Sequence, residues 1–232
     1  MTGSRFTLYP MPAKTDSRAA LLSLVLPGLG QFSQGRIRGA FVAFLIAATL
    51  LALNIWLGRL TDRAVEVLSF MVLTLPYWAL QSYDAYLGAS PGISSGHRTW
   101  ELVWQRGHDI RFLGVLLFIS ALNDAWIILK NLDYALPFFC TKLGGILGLT
   151  AKAISPALHL AVGYGFVRLR RWALFLYLVY AAYGFTNGIV NLTCFGPGRI
   201  RNTLLVIIVL STIYVLMRRR VLIQEVQVKI KG

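Results

Sequence analysis

The sequence predicts an all-α integral membrane protein, with about six transmembrane helices and one short apolar segment ahead of them. Three observations carry this reading. Apolar residues fill 56% of the 232 positions and charged residues only 14%, whereas a soluble domain carries about 25% charged residues. Too few charges remain to coat a core of this size with a wettable surface. The charges are also clustered, leaving long uncharged runs between basic connectors, which is the pattern of a membrane chain. Finally, six stretches are long enough, or nearly so, to cross about 30 Å of hydrocarbon at ~1.5 Å per residue: residues 39–58, 64–88, 111–130, 143–166, 172–194 and 202–217.

The first apolar run, 19–32, is too short to join that set and is interrupted by Pro27, Gly28 and Gly30. Proline removes a backbone donor and glycine frees the chain to turn, so a re-entrant or interfacial segment, or a broken and tilted span, is expected. In lipid such a break needs cover from neighbouring protein, and Gln31 is placed to satisfy backbone groups freed there. The basic N-terminus followed by an apolar run has the outline of a signal peptide. No small-x-small cleavage site follows Phe32, and the segment is expected to be retained.

The formal net charge of +14 does not indicate nucleic acid, because the Lys and Arg residues lie in short connectors between apolar stretches. There they meet anionic headgroups and set orientation. With residues 33–38 on the cytoplasmic side and six alternating spans, 13 basic residues fall inside and 6 outside, leaving Lys152 within the membrane and the N-terminus uncounted. Both termini are therefore expected in the cytoplasm. Residues 1–18 form a cytoplasmic segment, 19–220 the helical bundle and 221–232 a cytoplasmic tail. Trp56, Trp126 and Trp172 sit near span ends and Trp78 lies deep, just after Pro76. Trp100, Val103 and Trp104 share one face of an expected interfacial helix over 99–106. Val226, Val228 and Ile230 alternate with polar residues, as do Phe6 and Leu8; this reads either as a disordered tail or as strand periodicity suited to pairing with each other or with a partner's sheet edge.

Residues 20–40, ALLSLVLPGLGQFSQGRIRGA, carry Pro-Gly-x-Gly-Gln, an aromatic, and a Gly-basic turn into the next helix. Residues 76–89, PYWALQSYDAYLGA, form an aromatic-rich helix ending in Asp-Ala-Tyr. Together they resemble the paired-transmembrane-helix (TM two) type domain and related bacterial membrane families of unknown function. The resemblance covers about residues 19–89 and departs from the pattern at Ser33. It implies the architecture and a bacterial inner-membrane setting, and no enzymatic activity.

Ionisable groups inside a bilayer are the usual pointers to function. Asp124 and Lys152 lie at similar depths on neighbouring spans, and an ion pair between them is expected, joined by Asn123. It reads either as a clamp between helices or as part of a solute or proton path. His159 shares a helical face with Lys152. It reads as a packing histidine, a proton relay, or a ligand for haem or a chlorin, although His97 and His108 lie in a connector and offer no second axial ligand. Tyr180, Gly184, Asn187, Gly188 and Asn191 form one stripe, and Gly144 and Gly148 a second small-x-x-x-small pair. Both are expected to pack helices together, with a pore lining as the alternative. Asp84, near a cytoplasmic helix end, is expected to need no buried partner, with Arg36 or Arg38 in reach. Cys140 and Cys194 both fall near the outer face, where a disulfide can form in an oxidising compartment. The sequence holds no HExxH, GxSxG, Walker loop or close cysteine pair. A non-catalytic accessory or scaffold subunit with membrane-protein partners is the leading expectation. A small-solute or ion transporter built on Lys152, Asp124 and His159 is the second, and a cofactor-bearing enzyme subunit at His159 the third.

Overall fold

A computed structural model of the chain describes residues 15–61, 63–88, 95–133 and 135–223. It is mostly helical and divides into two compact units, residues 1–105 and 106–232. Among the described residues four helices are long and apolar enough to cross a membrane: Ile37–Leu60, His108–Lys130, Gly145–Val167 and Arg171–Phe195. Only 11–28% of their most apolar stretches is buried inside the protein. Helices apolar on nearly every side need a nonaqueous medium around them, so the fold is that of a membrane chain.

In the first unit, α1 (Ser17–Val25) and α2 (Leu29–Ser33) are joined by a turn at Leu26–Gly28. Asp16 caps α1, its Oδ1 accepting from the Ala19 amide at 3.0 Å, and this bond holds its carboxyl below the usual carboxylate range. Gly28 turns the chain at φ 97°, a conformation glycine adopts without steric cost. The two helices then fold back on each other. A Cβ on Gly30 would collide with the Ala19 carbonyl, so only glycine lets the backbones come this close.

The partners of this helical hairpin are set by α5 (Leu75–Leu87). The Asp16 amide donates to Tyr86 O at 2.9 Å and Gln34 Nε2 to Ala85 O at 2.8 Å, so the hairpin begins and ends beside the same end of α5. Near the hairpin tip the Trp78 indole donates to Leu24 O at 3.0 Å. Eight residues of helix separate Trp78 from Tyr86, and the segment therefore penetrates about 12 Å along α5 and returns.

Helix α3 (Ile37–Leu60) buries Ala40, Ala43, Ala47 and Asn54 along one side. The expected span 64–88 is not one regular helix. It comprises α4 (Arg63–Ser69), a π-helical turn (Phe70–Thr74) and α5, and Leu75 N bonds back five residues to Phe70 O. Pro76 lacks an N–H and its ring crowds the carbonyl four residues earlier; a wider turn ahead of it relieves that clash. Asn54 spans from α3 to the π turn, donating to the Thr74 hydroxyl. The helix expected over 99–106 is longer, α6 (Ser95–Arg106), with the indoles of Trp100 and Trp104 6.0 Å apart and Leu102 buried.

The second unit is built on α7 (His108–Lys130), α8 (Gly145–Val167), α9 (Arg171–Phe195), α10 (Arg199–Met217) and the short α11 (Arg219–Ile223). Its core gathers Ile110, Val162, Phe166, Ala173, Tyr177, Val215 and Leu222. Gly114 and Gly163 make the antiparallel α7–α8 approach possible, since a Cβ on either would meet the other's carbonyl oxygen within 3 Å. The stretch expected as a plain loop, 131–142, contains a β-hairpin, β1 (Leu136–Phe138) paired antiparallel with β2 (Thr141–Leu143). Its two turn residues, Phe139 (φ 43°) and Cys140 (φ 65°), both take the left-handed conformation a two-residue hairpin requires. The alternating stretches at Phe6 and Leu8 and at Val226 to Ile230 lie outside the described residues.

Candidate functional site

Two polar clusters stand out, one in each unit. In the first unit, Asp84 is 6% exposed and holds three partners. Arg36 Nη2 donates to its Oδ2 at 2.6 Å, Gln31 Nε2 to the same oxygen at 3.2 Å, and Thr99 Oγ1 to Oδ1 at 2.8 Å. The expected pairing with Arg36 forms, but the expectation that Asp84 needs no buried partner is corrected: α2, α3 and α6 cover it, and a buried carboxylate must be paired. Gln31 does not serve the break in its own segment. Ser23 Oγ takes that part, accepting from Gly30 N at 3.0 Å and donating to Gln31 Oε1 at 2.9 Å, while Gln31 reaches Gln81 of α5. Arg98 donates to Gly88 O and ties the start of α6 to the end of α5.

In the second unit, the expected Asp124–Lys152 pair does not form. Lys152, 7% exposed, sends Nζ to Asn131 O at 3.1 Å and Leu132 O at 2.9 Å. Asp124 Oδ2 instead lies 3.0 Å from His159 Nδ1 and accepts from Ser155 Oγ at 3.3 Å, and Asn123 is exposed. Helix direction explains the exchange. Side chains lean toward the N-terminus of their own helix. In the register fixed by Gly114–Gly163 and Asp124–Ser155, Lys152 and Asp124 lean apart. His159 and Asp124 lean together.

His159 Nε2 is 2.5 Å from the Tyr180 hydroxyl, which is 3.4 Å from Ser155 Oγ. Asp124, His159, Tyr180 and Ser155 therefore form one connected group across α7, α8 and α9. His159 Nε2 meets the Tyr180 hydroxyl, whereas Nδ1 lies close to the Asp124 carboxylate without forming a hydrogen bond. Among the described residues no three His, Cys, Asp or Glu side chains gather as a metal site.

The α9 stripe divides its work. Gly184 and Gly188 face Ile208 and Leu205 of α10, while the amides hold the β-hairpin turn. Phe139 N donates to Asn187 Oδ1 at 2.9 Å, Cys140 N to Asn191 Oδ1 at 3.0 Å, and Asn191 Nδ2 to Pro137 O at 3.1 Å. Gly144 and Gly148 do not pair two helices: Gly148 makes room for the Leu143 carbonyl, and a Cβ on Gly144 would meet nothing. Cys140 and Cys194 are joined as a disulfide, with Cα atoms 5.5 Å apart. Its removal by Cys194→Ser is expected to cost about 2–3 kcal/mol, because Asn187 and Asn191 still hold the same turn. Unfolding of the oxidised protein and the variant in one detergent measures the difference.

At the opposite end of this unit, Arg218 and Asp109 form a buried pair that sequence reasoning missed, with Nε to Oδ2 at 2.5 Å and Nη2 to Oδ1 at 2.9 Å. Tyr214 OH donates to the same carboxylate at 2.7 Å. A charge at each of two helix ends was the signal on offer, but nothing in the sequence pairs them. No family model, curated protein or solved structure matches the chain.

Proposed function

We propose that this chain is a non-catalytic multi-pass protein of a bacterial inner membrane, acting as an accessory or scaffold subunit of a larger membrane assembly. The observation behind this is where the buried charges go. Asp84 is taken up by Arg36, Asp109 by Arg218, and Lys152 by two carbonyls at the end of α7. Each bonds one element to another, which is the work of clamps and leaves little for chemistry.

The same reading includes six crossings, the four long helices together with 63–87 and 199–217, and a re-entrant hairpin at 17–33. The two bonds from Asp16 and Gln34 to one end of α5 support the re-entrant assignment. Basic connectors put both termini in the cytoplasm. The bonds Cys140–Cys194 and Asp109–Arg218 each join ends that the alternation assigns to one side. The resemblance of residues 19–89 to the TM two type domain belongs to this proposal, with the hairpin and α5 as its physical form.

The test is mild-detergent purification from the native membrane with the mass of the eluted species recorded. A defined complex with stoichiometric partners is expected; a stable monomer without partners overturns the subunit reading.

A second reading, transport of protons or a small solute, is favoured by one observation: the Asp124–His159–Tyr180–Ser155 group joins three helices that are each long and apolar enough to cross a membrane. In proteoliposomes it predicts proton flux that His159→Gln and Asp124→Asn each lower about tenfold or more, since relay groups act as a unit. Flux unchanged by both substitutions removes it.

A further inference from the structure

The first unit contains a cleft of about 360 Å³ between α3 and α5. Its chemistry changes from one end to the other. The polar end carries Arg36, Arg38, Gln81, Asp84 and Thr99, and the walls beyond are Val42, Ala43, Ile46, Tyr77 and Leu80. The floor is closed where the Tyr77 hydroxyl donates to Ala43 O at 3.3 Å. Val42 and Ile46 stay half exposed along the open side, and Gly39 has nothing within 4 Å of where its Cβ would lie, leaving the mouth open.

We propose that this cleft binds one anionic phospholipid, its phosphate at Arg38 and Arg36 and an acyl chain along Val42 and Ile46. Charge decides the headgroup. Asp84 is compensated by Arg36, Gln31 and Thr99, so Arg38, exposed at the mouth, leaves the polar end one positive charge in excess. An anionic head is attracted there, and a zwitterionic head gains nothing net. Shape decides the remainder, since a short anion would fill the mouth and leave the apolar wall uncovered. The cleft lies at the end where the hairpin begins and returns, which the proposed topology puts at cytoplasmic headgroup depth. The inference rests on that topology for its biological setting, while the binding itself is measured in micelles and stands or falls independently of it.

The experiment is native mass spectrometry of the full chain in a mild detergent. Phosphatidylglycerol and phosphatidylcholine of identical acyl chains are titrated separately, and inorganic phosphate is added as a competitor. One retained phosphatidylglycerol per chain is expected, bound about fivefold or more tighter than phosphatidylcholine, the contribution of one basic side chain near a headgroup. Arg38→Ala weakens phosphatidylglycerol binding by about fivefold or more and abolishes its advantage over phosphatidylcholine. Gly39→Leu, at a helix position with open space around it, closes the mouth and abolishes the retained lipid with thermal stability maintained. Equal retention of the two lipids, or retention unaffected by both variants, overturns the proposal. Displacement of the lipid by millimolar inorganic phosphate overturns it in favour of a free-anion site.

Discussion

Asp109→Ala is expected to destabilise the second unit by about 3–5 kcal/mol, the cost of stranding one member of a buried ion pair. The pair is nearly closed to solvent, with side-chain exposures of 5% for Arg218 and 9% for Asp109. Its guanidinium meets the carboxylate through two nitrogens, and Tyr214 supplies a third donor. Removing the carboxylate leaves a guanidinium and a hydroxyl without their acceptor, at the point where α7 begins and α10 ends. Tyr214→Phe removes only one charge-assisted bond and is expected to cost about 1.5–3 kcal/mol. The control is the pair Asp109→Leu with Arg218→Met, which deletes both charges and keeps the volume. It is expected to recover most of the loss, because an apolar replacement removes the desolvation cost along with the attraction. Chemical unfolding in one detergent measures all four proteins. A single-variant loss below about 1 kcal/mol, or a double variant no better than Asp109→Ala, refutes the clamp.

Much of the helical layout was legible because it follows from hydropathy alone. The long spans appear within three residues of their expected limits, 37–60 for 39–58 and 171–195 for 172–194 among them. Runs of apolar side chains and basic ends carry that information locally. The π turn ahead of Pro76 was not legible, since Pro76 announces a disturbance without saying which form relieves it. The β-hairpin at 136–143 escaped because Phe139 and Cys140 are poor left-handed residues. They hold that shape through bonds to Asn187 and Asn191, about fifty residues away.

The polar sites divide in the same way. Asp124, Lys152 and His159 were identifiable as intramembrane groups from composition. Which two of them meet depended on helix register and side-chain lean, and one depth estimate per residue cannot supply either. Glycines behaved alike: Gly184 and Gly188 advertise themselves by spacing, whereas Gly114 and Gly163 are single residues on separate helices that matter through each other. The pattern around Gln31 and Asp84 lay in plain view, yet only three dimensions bring the two side chains together.

That convergence yields the second large prediction. Asp84→Ala is expected to cost about 3–5 kcal/mol and to release the 17–33 hairpin from α5. Asp84 takes donors from Gln31 on α2, Arg36 at the start of α3 and Thr99 on α6. Arg36 would remain largely buried, at 16% side-chain exposure, without its counter-charge. Gln31 is also the link through which Ser23, and so the Gly30 amide, is oriented. The hairpin should therefore loosen more than α3 does, and amide hydrogen exchange separates the two. Exchange across residues 17–33 is expected to rise by at least about tenfold, the equivalent of 1.4 kcal/mol of local protection, while the middle of α3 changes little. Asp84→Asn keeps an acceptor for Thr99 and discards the charge, and should fall between the parent and alanine. Unchanged exchange over 17–33 in Asp84→Ala would mean that apolar packing and the backbone bonds to Tyr86 and Ala85 hold the hairpin, and that the carboxylate serves only to neutralise Arg36.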